Sequence, residues 1–429
     1  MNIHIHTFGC KLNQYESEKI SFELKNMGAN ITELKNADAI AINTCTVTND
    51  SDKKLINYLD KLENISQKKI FLIGCYVSKK ENIIKENSKE ENLFDKENIT
   101  IIPNDKKEEA SQIIFNTLTK NYESVFKNPI FFPQEQSRAY LKIQDGCEVF
   151  CSYCIVARVR GKHKSVEPKK IYDAIKIAYE YGYKEIVLTG LNLGSYNYNN
   201  EIKFIQIVKN MLEISSKFGI RIRLSSIEPI YFNDELISLF KNSEVLCPHA
   251  HIPLQSGSDK ILKLMNRRYT RENYLNIVEK LYKTNSNIGI SADIMVGFPN
   301  EDSNDFKDTY NLCEKSKFIK MHIFRYSNRE NTPSSKMSNQ IGYRTKLKRA
   351  KLLNELNNKM KDDFYKNAIN RELKVIAEKK LENNYYIGTS GEYLRVKFKS
   401  EKIIEKKDII KVKAIKYEDN IIIGEAKNG

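Results

Sequence analysis

Three cysteines lie at the tight spacing Cys147-x3-Cys151-x2-Cys154, directly after a short apolar run at residues 140–143. No fourth cysteine lies nearby, whereas a closed structural zinc site needs four protein ligands. Three thiolates on a [4Fe–4S] cube leave one iron open for another ligand. The spacing therefore favours an iron–sulfur cluster with a vacant position, and a zinc knuckle completed from a distant part of the chain is the alternative.

The open iron of such a cluster has a well-defined use in radical chemistry. It binds the amino and carboxylate groups of S-adenosylmethionine, and the reduced cluster then breaks this cofactor to a 5′-deoxyadenosyl radical. The cysteine spacing thus predicts S-adenosylmethionine as a second cofactor.

Length and charge limit the architecture and the partners. The chain has 429 residues, so two to three domains are expected. Lysine and arginine total 70 against 55 acidic residues, a net charge of +15. This excess suits a polyanionic partner such as RNA. A compositional bias toward solvated lysines is the alternative.

The first residues carry no basic segment followed by an apolar one, and no apolar run reaches 18 residues. We therefore expect a cytoplasmic protein without a membrane partner. In that reducing compartment the eight cysteines are expected on metals or in the core rather than in disulfides.

Residues 1–125 repeat one pattern three times, in which a strand-like run is followed by a cysteine and a helical stretch. The runs Ile3–Thr7, Ala39–Asn43 and Ile70–Ile73 precede Cys10, Cys45 and Cys75, respectively. This α/β pattern predicts a doubly wound parallel sheet, in which strand ends share one edge. We expect the three cysteines to meet there as a second three-thiolate cluster. Singly, each cysteine also fits a small buried hydrophobe.

Residues 126–137 read as a linker, because Pro129, Phe131, Phe132 and Pro133 favour an extended segment. Strand and helix patterns then alternate through residues 138–365, which predicts a partial parallel (β/α) barrel with its site at the carboxyl face. The predicted strands after the first are Glu185–Thr189, Arg221–Ile227, His249–Gln255, Ile290–Val296 and Met321–Tyr326, and the predicted helices include Pro168–Tyr181 and Arg271–Thr284.

A basic helical stretch at residues 338–365 precedes the last predicted domain, residues 366–429. Five short strand patterns follow within about 60 residues, which is typical of a small OB-like β-barrel. Such barrels are common nucleic-acid platforms. A barrel that only packs on its neighbour is the alternative.

Several further side chains are candidates for the site. We expect Tyr153 to shield the cluster or contact adenine, and Gly190, Ser225 and Gln255 to contact the cofactor. The segment Cys247-Pro248-His249-Ala250-His251 is not expected to hold zinc, since three ligands in five extended residues cannot surround one ion. The remaining histidines, His4, His6, His163 and His322, are scattered and suggest no ligand set, and Cys313 is expected to be buried.

Four segments carry a resemblance to a known family: Thr7-Phe8-Gly9-Cys10-Lys11-Leu12-Asn13-Gln14-Tyr15-Glu16-Ser17, Asn43-Thr44-Cys45-Thr46-Val47-Thr48, Leu224-Ser225-Ser226-Ile227-Glu228-Pro229 and His251-Ile252-Pro253-Leu254-Gln255-Ser256-Gly257-Ser258. With the cysteine loop, they make the chain resemble the methylthiotransferases of the radical S-adenosylmethionine superfamily, in particular the MtaB subfamily. The resemblance covers essentially the whole length.

The resemblance implies methylthiolation of C2 of N6-threonylcarbamoyladenosine, next to the anticodon in tRNA. It implies an auxiliary [4Fe–4S] cluster on Cys10, Cys45 and Cys75, and a radical-generating one on Cys147, Cys151 and Cys154. One S-adenosylmethionine supplies the methyl group and a second supplies the radical. The C-terminal barrel resembles a TRAM domain, which implies contact with tRNA. An electron donor such as flavodoxin or ferredoxin and a sulfur source are also implied.

The sequence departs from the family pattern at several loop positions. Asn300 and Asn331 stand where the family usually has glycine, and Arg325 and Asn328 where it has proline. Ala157 and Arg158 replace a proline and an aromatic residue. All six cluster ligands are retained.

Other functions stay open. A relative acting on isopentenyladenosine in tRNA or on a ribosomal protein would have the same clusters. A cobalamin-dependent radical methylase would share the architecture, but residues 1–125 lack an Asp-x-His-x-x-Gly signature. A non-catalytic RNA-binding protein predicts neither iron nor cofactor cleavage.

Overall fold

The computed structural model describes residues 1–9, 11–46, 49–62, 68–78, 97–120 and 136–427. Cys10 and residues 126–135 of the predicted linker lie outside these residues. Two compact units form: one groups the described residues of 1–133 with Asp145–Lys164 and Ser327–Ser335, and the other contains the rest. Packing therefore joins separate stretches of chain, and the predicted linear domain bounds stay a prediction.

The first unit is built on a parallel sheet of five strands in the order β2-β1-β3-β4-β5. The strands are β1 (Asn2–Thr7), β2 (Asn30–Ile31), β3 (Ala39–Thr44), β4 (Lys69–Gly74) and β5 (Ile99–Ile102). This is the doubly wound order in which ligands bind at the carboxyl edge of the strands. The predicted fold class and the three predicted strands are confirmed.

Both faces of this sheet are covered by apolar packing. The helices of the unit are α1 (Lys11–Asn26), α2 (Asn49–Leu62), α3 (Ala110–Thr119) and α4 (Val156–Arg160). All six residues of the central strand β3 are buried, as expected for a parallel strand between two helical layers. One core contains Ile3, Ile20 and Ile114, and a second contains Ile40, Leu55 and Leu72. The sheet edge is thus held by a rigid support.

Residues 139–325 contain the strands β6 (Ala139–Lys142), β7 (Gln144–Asp145), β8 (Lys164–Ser165), β9 (Glu185–Thr189), β10 (Asn197–Tyr198), β11 (Ile202–Lys203), β12 (Arg221–Leu224), β13 (His249–His251), β14 (Gly289–Val296) and β15 (Lys320–Arg325). Six of them run parallel in the spatial order β6-β9-β12-β13-β14-β15. The predicted partial (β/α) barrel is confirmed.

Helices connect these strands, as parallel pairing requires. They are α5 (Pro168–Glu180), α6 (Phe204–Phe218), α7 (Asp234–Asn242), α8 (Asp259–Leu264), α9 (Arg271–Thr284), α10 (Ser303–Ser316) and α11 (Tyr343–Lys366). The predicted bounds of α9 are correct, and the side chain of Thr270 caps its first turn in a capping box with Asn273. Within the described residues, no helix combines the length and apolarity needed to cross a bilayer.

The C-terminal residues form a closed five-stranded barrel in the order β16-β17-β18-β20-β19. Its strands are β16 (Glu372–Lys380), β17 (Tyr385–Ser390), β18 (Arg395–Lys399), β19 (Ile409–Glu418) and β20 (Ile421–Ala426). The closure of β19 on β16 and the parallel pairing of β18 with β20 agree with the OB-like prediction.

A buried ionic network joins this small barrel to the partial barrel within the second unit. Glu185 is fully buried and accepts hydrogen bonds from Arg221 at 2.5 Å and Arg223 at 2.7 Å. The same guanidinium groups donate to carbonyl oxygens of Lys374, Thr389, Ser390 and Gly391. Burial alone would raise the pKa of Glu185, but the surrounding arginines hold it below its ordinary value. The small barrel is therefore fixed on its neighbour, whatever else it binds.

Candidate active site

The cysteine loop of residues 147–154 is shaped by the backbone around it. Cys147 N–H donates to the carbonyl of Gly161 at 3.3 Å, which closes the loop. Gly146 has a φ of +72°, and a Cβ there would lie 2.0 Å from the carbonyl oxygen of Lys162. Only glycine fits at this position. The local sequence thus presents three cysteines from one tight turn.

The three cysteines of the loop are partly exposed and form no disulfide. Burial, and then the charges of Cys151 and Cys147, raise the pKa of Cys154 to about 12. A bound metal ion or cluster deprotonates the thiols that coordinate it. The loop fits a positively charged metal group.

The sulfur spacing favours a cluster over a single ion. Sulfur atoms around one zinc ion at about 2.3 Å lie roughly 3.8 Å apart. Within the described residues, only one group of three potential ligands has all its ligand atoms within 4.8 Å, and it contains none of these cysteines. The three thiols are therefore spread more widely than a single tetrahedral ion allows.

The second cysteine set lies at the carboxyl edge of the five-stranded sheet. Thr44 pairs with Gly74 in register, so Cys45 and Cys75 directly follow neighbouring positions on β3 and β4. Adjacent strands are about 4.8 Å apart. Both cysteines are buried, with 4% and 5% exposure, and neither forms a disulfide. The structure thus brings together two cysteines that are 30 positions apart in the chain.

Gly9 extends this contact toward the undescribed Cys10. It has a φ of +115°, and a Cβ at this residue would lie 2.8 Å from Cβ and 3.2 Å from Sγ of Cys45. The residue before Cys10 therefore packs directly on Cys45. This placement fits a three-cysteine group at the sheet edge.

Arg160 connects the two cysteine sets inside the first unit. It lies at the end of α4, just after the cysteine loop, and its side chain is only 4% exposed. Its Nε–H donates to Sγ of Cys75 at 3.3 Å. The two terminal nitrogens donate to the carboxylate of Glu16 at 2.6 and 3.2 Å and to Oδ1 of Asn13 at 3.3 Å. A guanidinium group thus lies against one thiol of the sheet edge.

The electrostatics of Arg160 follow from this surrounding. Burial alone would lower its pKa, but the charges of Glu16, Cys75 and Asp145 raise it well above the ordinary value. Arg160 therefore stays a cation that donates a hydrogen bond to the Cys75 sulfur. Outer-shell donors of this kind tune metal-bound sulfur.

Apolar and amide contacts complete the link. Cys75 packs with Ile155 and Val159, which follow the last cysteine of the loop. Asn104 donates from Nδ2 to the carbonyl of Val159 at 2.6 Å, and its Oδ1 lies 4.0 Å from Sγ of Cys75. The segment that follows the cysteine loop therefore packs on the sheet edge at Cys75.

Residues 327–335 contact both cysteine sets. Arg329 donates to the carbonyl of Thr46, the residue after Cys45, and pairs with Asp52 at 2.8 Å. Ser334 N–H donates to the carbonyl of Ser152 at 2.9 Å, inside the cysteine loop. The turn between them places Asn331 at a φ of +64°. Asparagine tolerates this left-handed conformation, which explains why it replaces the usual glycine.

The same reason applies to Asn300, which has a φ of +67°. Arg325, in place of proline, donates to the hydroxyl of Tyr343 at 3.1 Å. The loop departures thus keep the backbone shape.

The other predicted cofactor residues fall at strand ends. Gly190 and Ser225 directly follow β9 and β12, and Gln255 lies just beyond β13. A Cβ on Gly190 would lie 3.0 Å from Oε1 of Gln144, so the backbone approach is close. Gln255 has a φ of +63°, which is rare for its type and typical of ligand sites. Tyr153 is half-buried in the cysteine loop of the other unit. Their cofactor contacts stay a prediction.

His322, for which the sequence suggests no ligand set, lies in a group with His251 and Asp293 whose ligand atoms are within 4.8 Å of one another. The expectation that it belongs to no ligand set stays a prediction. The three residues are on separate strands, far apart in the chain, so no local spacing signals the group. His249 instead forms a hydrogen bond of 3.1 Å between its Nε2 and Oγ of Ser291, and its ring stacks on Tyr393. These contacts are typical of a structural histidine.

The sequence alone does not indicate that Arg160 and Arg329 contact the cysteine-bearing segments. Each is a basic residue in a segment adjoining a recognised motif, but its partners lie 85 and 283 positions away. Only the fold reveals such pairs.

Comparison with known proteins agrees with this architecture. The Radical SAM superfamily model matches residues 141–313, and the model described as uncharacterized protein family UPF0004 matches residues 2–95. The chain is 33% identical over 428 residues to threonylcarbamoyladenosine tRNA methylthiotransferase MtaB of Bacillus subtilis (strain 168), covering 96% of this chain and 94% of that protein.

A second relative has a different printed activity. The chain is 36% identical over 394 residues to tRNA-2-methylthio-N(6)-dimethylallyladenosine synthase of Clostridium tetani (strain Massachusetts / E88), covering 89% of this chain and 86% of that protein. Among solved structures, the radical S-adenosylmethionine methyltransferase TsrM from Kitasatospora setae superposes with a TM-score of 0.55 at 9% identity, covering 78% of this chain and 73% of that one. The last likeness concerns the fold alone.

Proposed function

Since this chain belongs to the methylthiotransferase family of radical S-adenosylmethionine enzymes, we propose that it transfers a methylthio group to C2 of N6-threonylcarbamoyladenosine in tRNA. The proposal rests on near full-length similarity to the Bacillus subtilis protein named for this substrate. The modified base lies next to the anticodon, where it is single-stranded and enters a pocket at low cost.

One observation carries the proposed chemistry: the hydrogen bond of 3.3 Å between Arg160 and the Cys75 thiol. It brings the cysteine loop of residues 147–154 against the cysteines of the sheet edge within one compact unit. Joining a radical source to a sulfur donor needs two reactive groups at close range, because proximity supplies much of the rate advantage.

We propose that Cys147, Cys151 and Cys154 hold a [4Fe–4S] cluster and that Cys10, Cys45 and Cys75 hold a second one. S-adenosylmethionine at the first cluster supplies the radical that opens the unreactive C2–H bond, and a second molecule supplies the methyl group. The thiols fit these roles, since those in the described residues form no disulfide and neither set has a fourth cysteine nearby in the sequence. Each set thus leaves one coordination position for a reactant.

The surrounding side chains bind and orient these groups. Arg160 keeps a positive charge beside Cys75, and the Glu16 carboxylate fixes the direction of its guanidinium. Gly190, Ser225 and Gln255 are proposed to bind S-adenosylmethionine at the carboxyl ends of the barrel strands, with Tyr153 covering the cluster. Apolar packing of Ile155 and Val159 on Cys75 excludes water from the sulfur.

The net charge of +15 and the closed C-terminal barrel support tRNA as the partner. We also propose a cytoplasmic location, an electron donor such as flavodoxin or ferredoxin, and a separate sulfur source.

A second candidate is methylthiolation of dimethylallyladenosine, because the Clostridium tetani relative of 36% identity is named for it. The two substrates share the adenine C2 and differ in the group on N6. Overall identity does not separate them, so the decision must come from the product.

Nucleoside mass spectrometry of tRNA from cells with and without this protein tests the proposal. We expect 2-methylthio-N6-threonylcarbamoyladenosine to disappear without the protein and to return with the wild-type chain but not with Cys147→Ala. Loss of the dimethylallyl product instead would favour the second candidate. No change in either nucleoside would contradict both.

A further inference from the structure

A triad of polar side chains lies on three adjacent strands of the partial barrel. His251 Nε2 is 3.2 Å from Oδ2 of Asp293, and His322 Nδ1 is 3.1 Å from Oδ1 of the same carboxylate. The two imidazole rings are 5.5 Å apart. Asp293 thus holds one histidine with each of its oxygens.

The triad lies on the inner face of the barrel. Along β14, the apolar residues Ile290, Ala292 and Ile294 are buried on one face, as expected under covering helices. Asp293 points to the other face, and its register partner on β15 is His322. The exposed fraction rises from 13% for the His251 side chain to 42% for His322. His322 is therefore the member open to a ligand.

The triad is next to the predicted cofactor end of the barrel. The backbone N–H of Gln255, the residue with the rare positive φ, donates to the carbonyl of Asp293 at 2.8 Å. A ligand beyond the strand ends at Gln255 would thus have His322 and Asp293 within reach below it.

Neighbouring groups fix the orientation of the triad. His251 Nδ1 is 2.8 Å from Oγ of Ser291, which also contacts His249 at 3.1 Å. Burial alone would raise the pKa of Asp293, but the hydrogen bonds from His251 and His322 hold it below its ordinary value. Asp293 is therefore an anion that accepts one hydrogen bond from a ring nitrogen of each histidine.

Nε2 of His322 has no hydrogen-bond partner among the described residues, and its side chain is 42% exposed. In the imidazolium form both ring nitrogens are N–H donors, so Nε2 can donate to a ligand while Nδ1 donates to Asp293. A charged donor recognises an anionic acceptor best, because charge-assisted hydrogen bonds are the stronger kind.

We propose that His322, positioned by Asp293 and His251, binds the carboxylate of the threonylcarbamoyl group and so selects this substrate over dimethylallyladenosine. The inference rests on the proposed function and adds the residue that reads the group on N6. A dimethylallyl group is a hydrocarbon and offers His322 no acceptor. Glu228 is buried and lies close enough to Asp293 and His251 to feel their charges. It forms an ion pair with Arg267, so its negative charge is already balanced.

Two histidines and one carboxylate also match a site for a divalent metal ion. Here the nitrogens that would bind the ion, Nε2 of His251 and Nδ1 of His322, already hydrogen-bond to Asp293. An ion would have to break both contacts. The hydrogen-bonded triad is satisfied without it, which favours recognition of an anion.

The test measures binding of anticodon stem-loops to the reconstituted holoenzyme by fluorescence anisotropy. Three stem-loops are compared, carrying threonylcarbamoyl-, glycylcarbamoyl- or dimethylallyladenosine; the first two have a carboxylate and the third has none. We expect His322→Phe to weaken binding of both carboxylate-bearing stem-loops by about tenfold to a hundredfold, the worth of one charge-assisted hydrogen bond. Binding of the dimethylallyl stem-loop should change less than about twofold.

Two further variants separate recognition from folding. His322→Gln retains an N–H donor and should recover part of the affinity, whereas Asp293→Asn removes the carboxylate that holds Nδ1 of His322 and should give an intermediate loss. Lys320→Gln is the matched control, since Lys320 lies two residues earlier on the same face of β15. It removes a positive charge outside the triad and should leave all three affinities unchanged.

Equal weakening for all three stem-loops in His322→Phe would overturn the inference, as would a stoichiometric zinc or iron ion in metal analysis that is lost in this variant. The wild-type protein reports separately on the proposed function. If it methylthiolates only the dimethylallyl stem-loop, the proposed function fails and the inference with it. If it prefers the threonylcarbamoyl stem-loop and His322→Phe keeps that preference, only the inference fails.

Discussion

The two cysteine sets of this chain are brought together in opposite ways. Cys147, Cys151 and Cys154 come from one turn and are partly exposed, so eight residues of sequence define their loop. Cys45 and Cys75 are buried and meet only because neighbouring parallel strands end together. The first set depends on local loop geometry, and the second depends on the fold of a whole domain.

This difference determines how each set responds to mutation. The loop set depends on one turn of half-buried residues, whereas Cys75 packs between the sheet edge and the segment that follows the loop. Four variants test this contrast, in order of decreasing expected effect.

Cys147→Ala should reduce 5′-deoxyadenosine formation from S-adenosylmethionine to background, because two thiolates do not hold the radical-generating cluster. Liquid chromatography of the reaction products measures this loss. Cys313→Ala is the control, since Cys313 is a buried cysteine of α10 that belongs to neither set. Full cofactor cleavage by Cys147→Ala would refute the assignment of this loop.

Cys45→Ala should keep cofactor cleavage and lose the methylthio product. Iron should fall from about eight to about four atoms per chain, the content of one cube. Iron analysis after anaerobic reconstitution and product mass spectrometry check both values. An iron content near four in the wild-type protein with full activity would show that the sheet edge holds no cluster.

Arg160→Lys should affect the buried set more than the loop. Lysine keeps the positive charge but lacks the planar guanidinium group that donates to Cys75, Glu16 and Asn13 at once. Loss of such an outer-shell contact costs about tenfold to a hundredfold in metal affinity or activity. The reduction potential of the sheet-edge cluster, measured by redox titration in Cys147→Ala, should shift. Arg158→Lys, at an exposed position of the same helix, is the matched control. An unchanged potential in Arg160→Lys would remove this residue from the account.

Asn331→Val should have the smallest effect, a loss of about 1–2 kcal/mol in the free energy of unfolding, because a β-branched residue is strained at a φ of +64°. Asn331→Gly should be close to neutral. Asn384→Val is the matched control, because Asn384 has a φ of +59° and lies in the C-terminal barrel, away from the cysteines. Thermal unfolding gives the stabilities. Only Asn331→Val should also lower iron incorporation, since its turn lies between Arg329 and Ser334; equal iron in both variants would mean that this segment does not support the clusters.

The sequence predicted whatever depends on local patterns or on repeated ones. The doubly wound sheet, the partial barrel and the five strands of the last domain all follow from alternating apolar periods. Strand lengths were less accurate: the run predicted at His249–Gln255 forms a strand only over His249–His251, because Pro253 has no N–H to donate to the ladder, and Gln255 pairs with Ile294 only as an isolated bridge.

The contacts between distant segments could not be predicted. Arg160 and Arg329 are ordinary basic residues by composition, and their roles come from partners in other elements. The same holds for His322, whose partner Asp293 is set by strand register alone. Such pairs depend on tertiary structure, which a single sequence does not encode in any local spacing.

The central claim is that the two cysteine sets form one site, and electron paramagnetic resonance of the reduced protein tests it most directly. Two nearby paramagnetic clusters couple, so the wild-type spectrum should differ from the sum of the spectra of Cys45→Ala and Cys147→Ala, each with one cluster. A wild-type spectrum equal to that sum would mean that the clusters lie too far apart to act on one substrate.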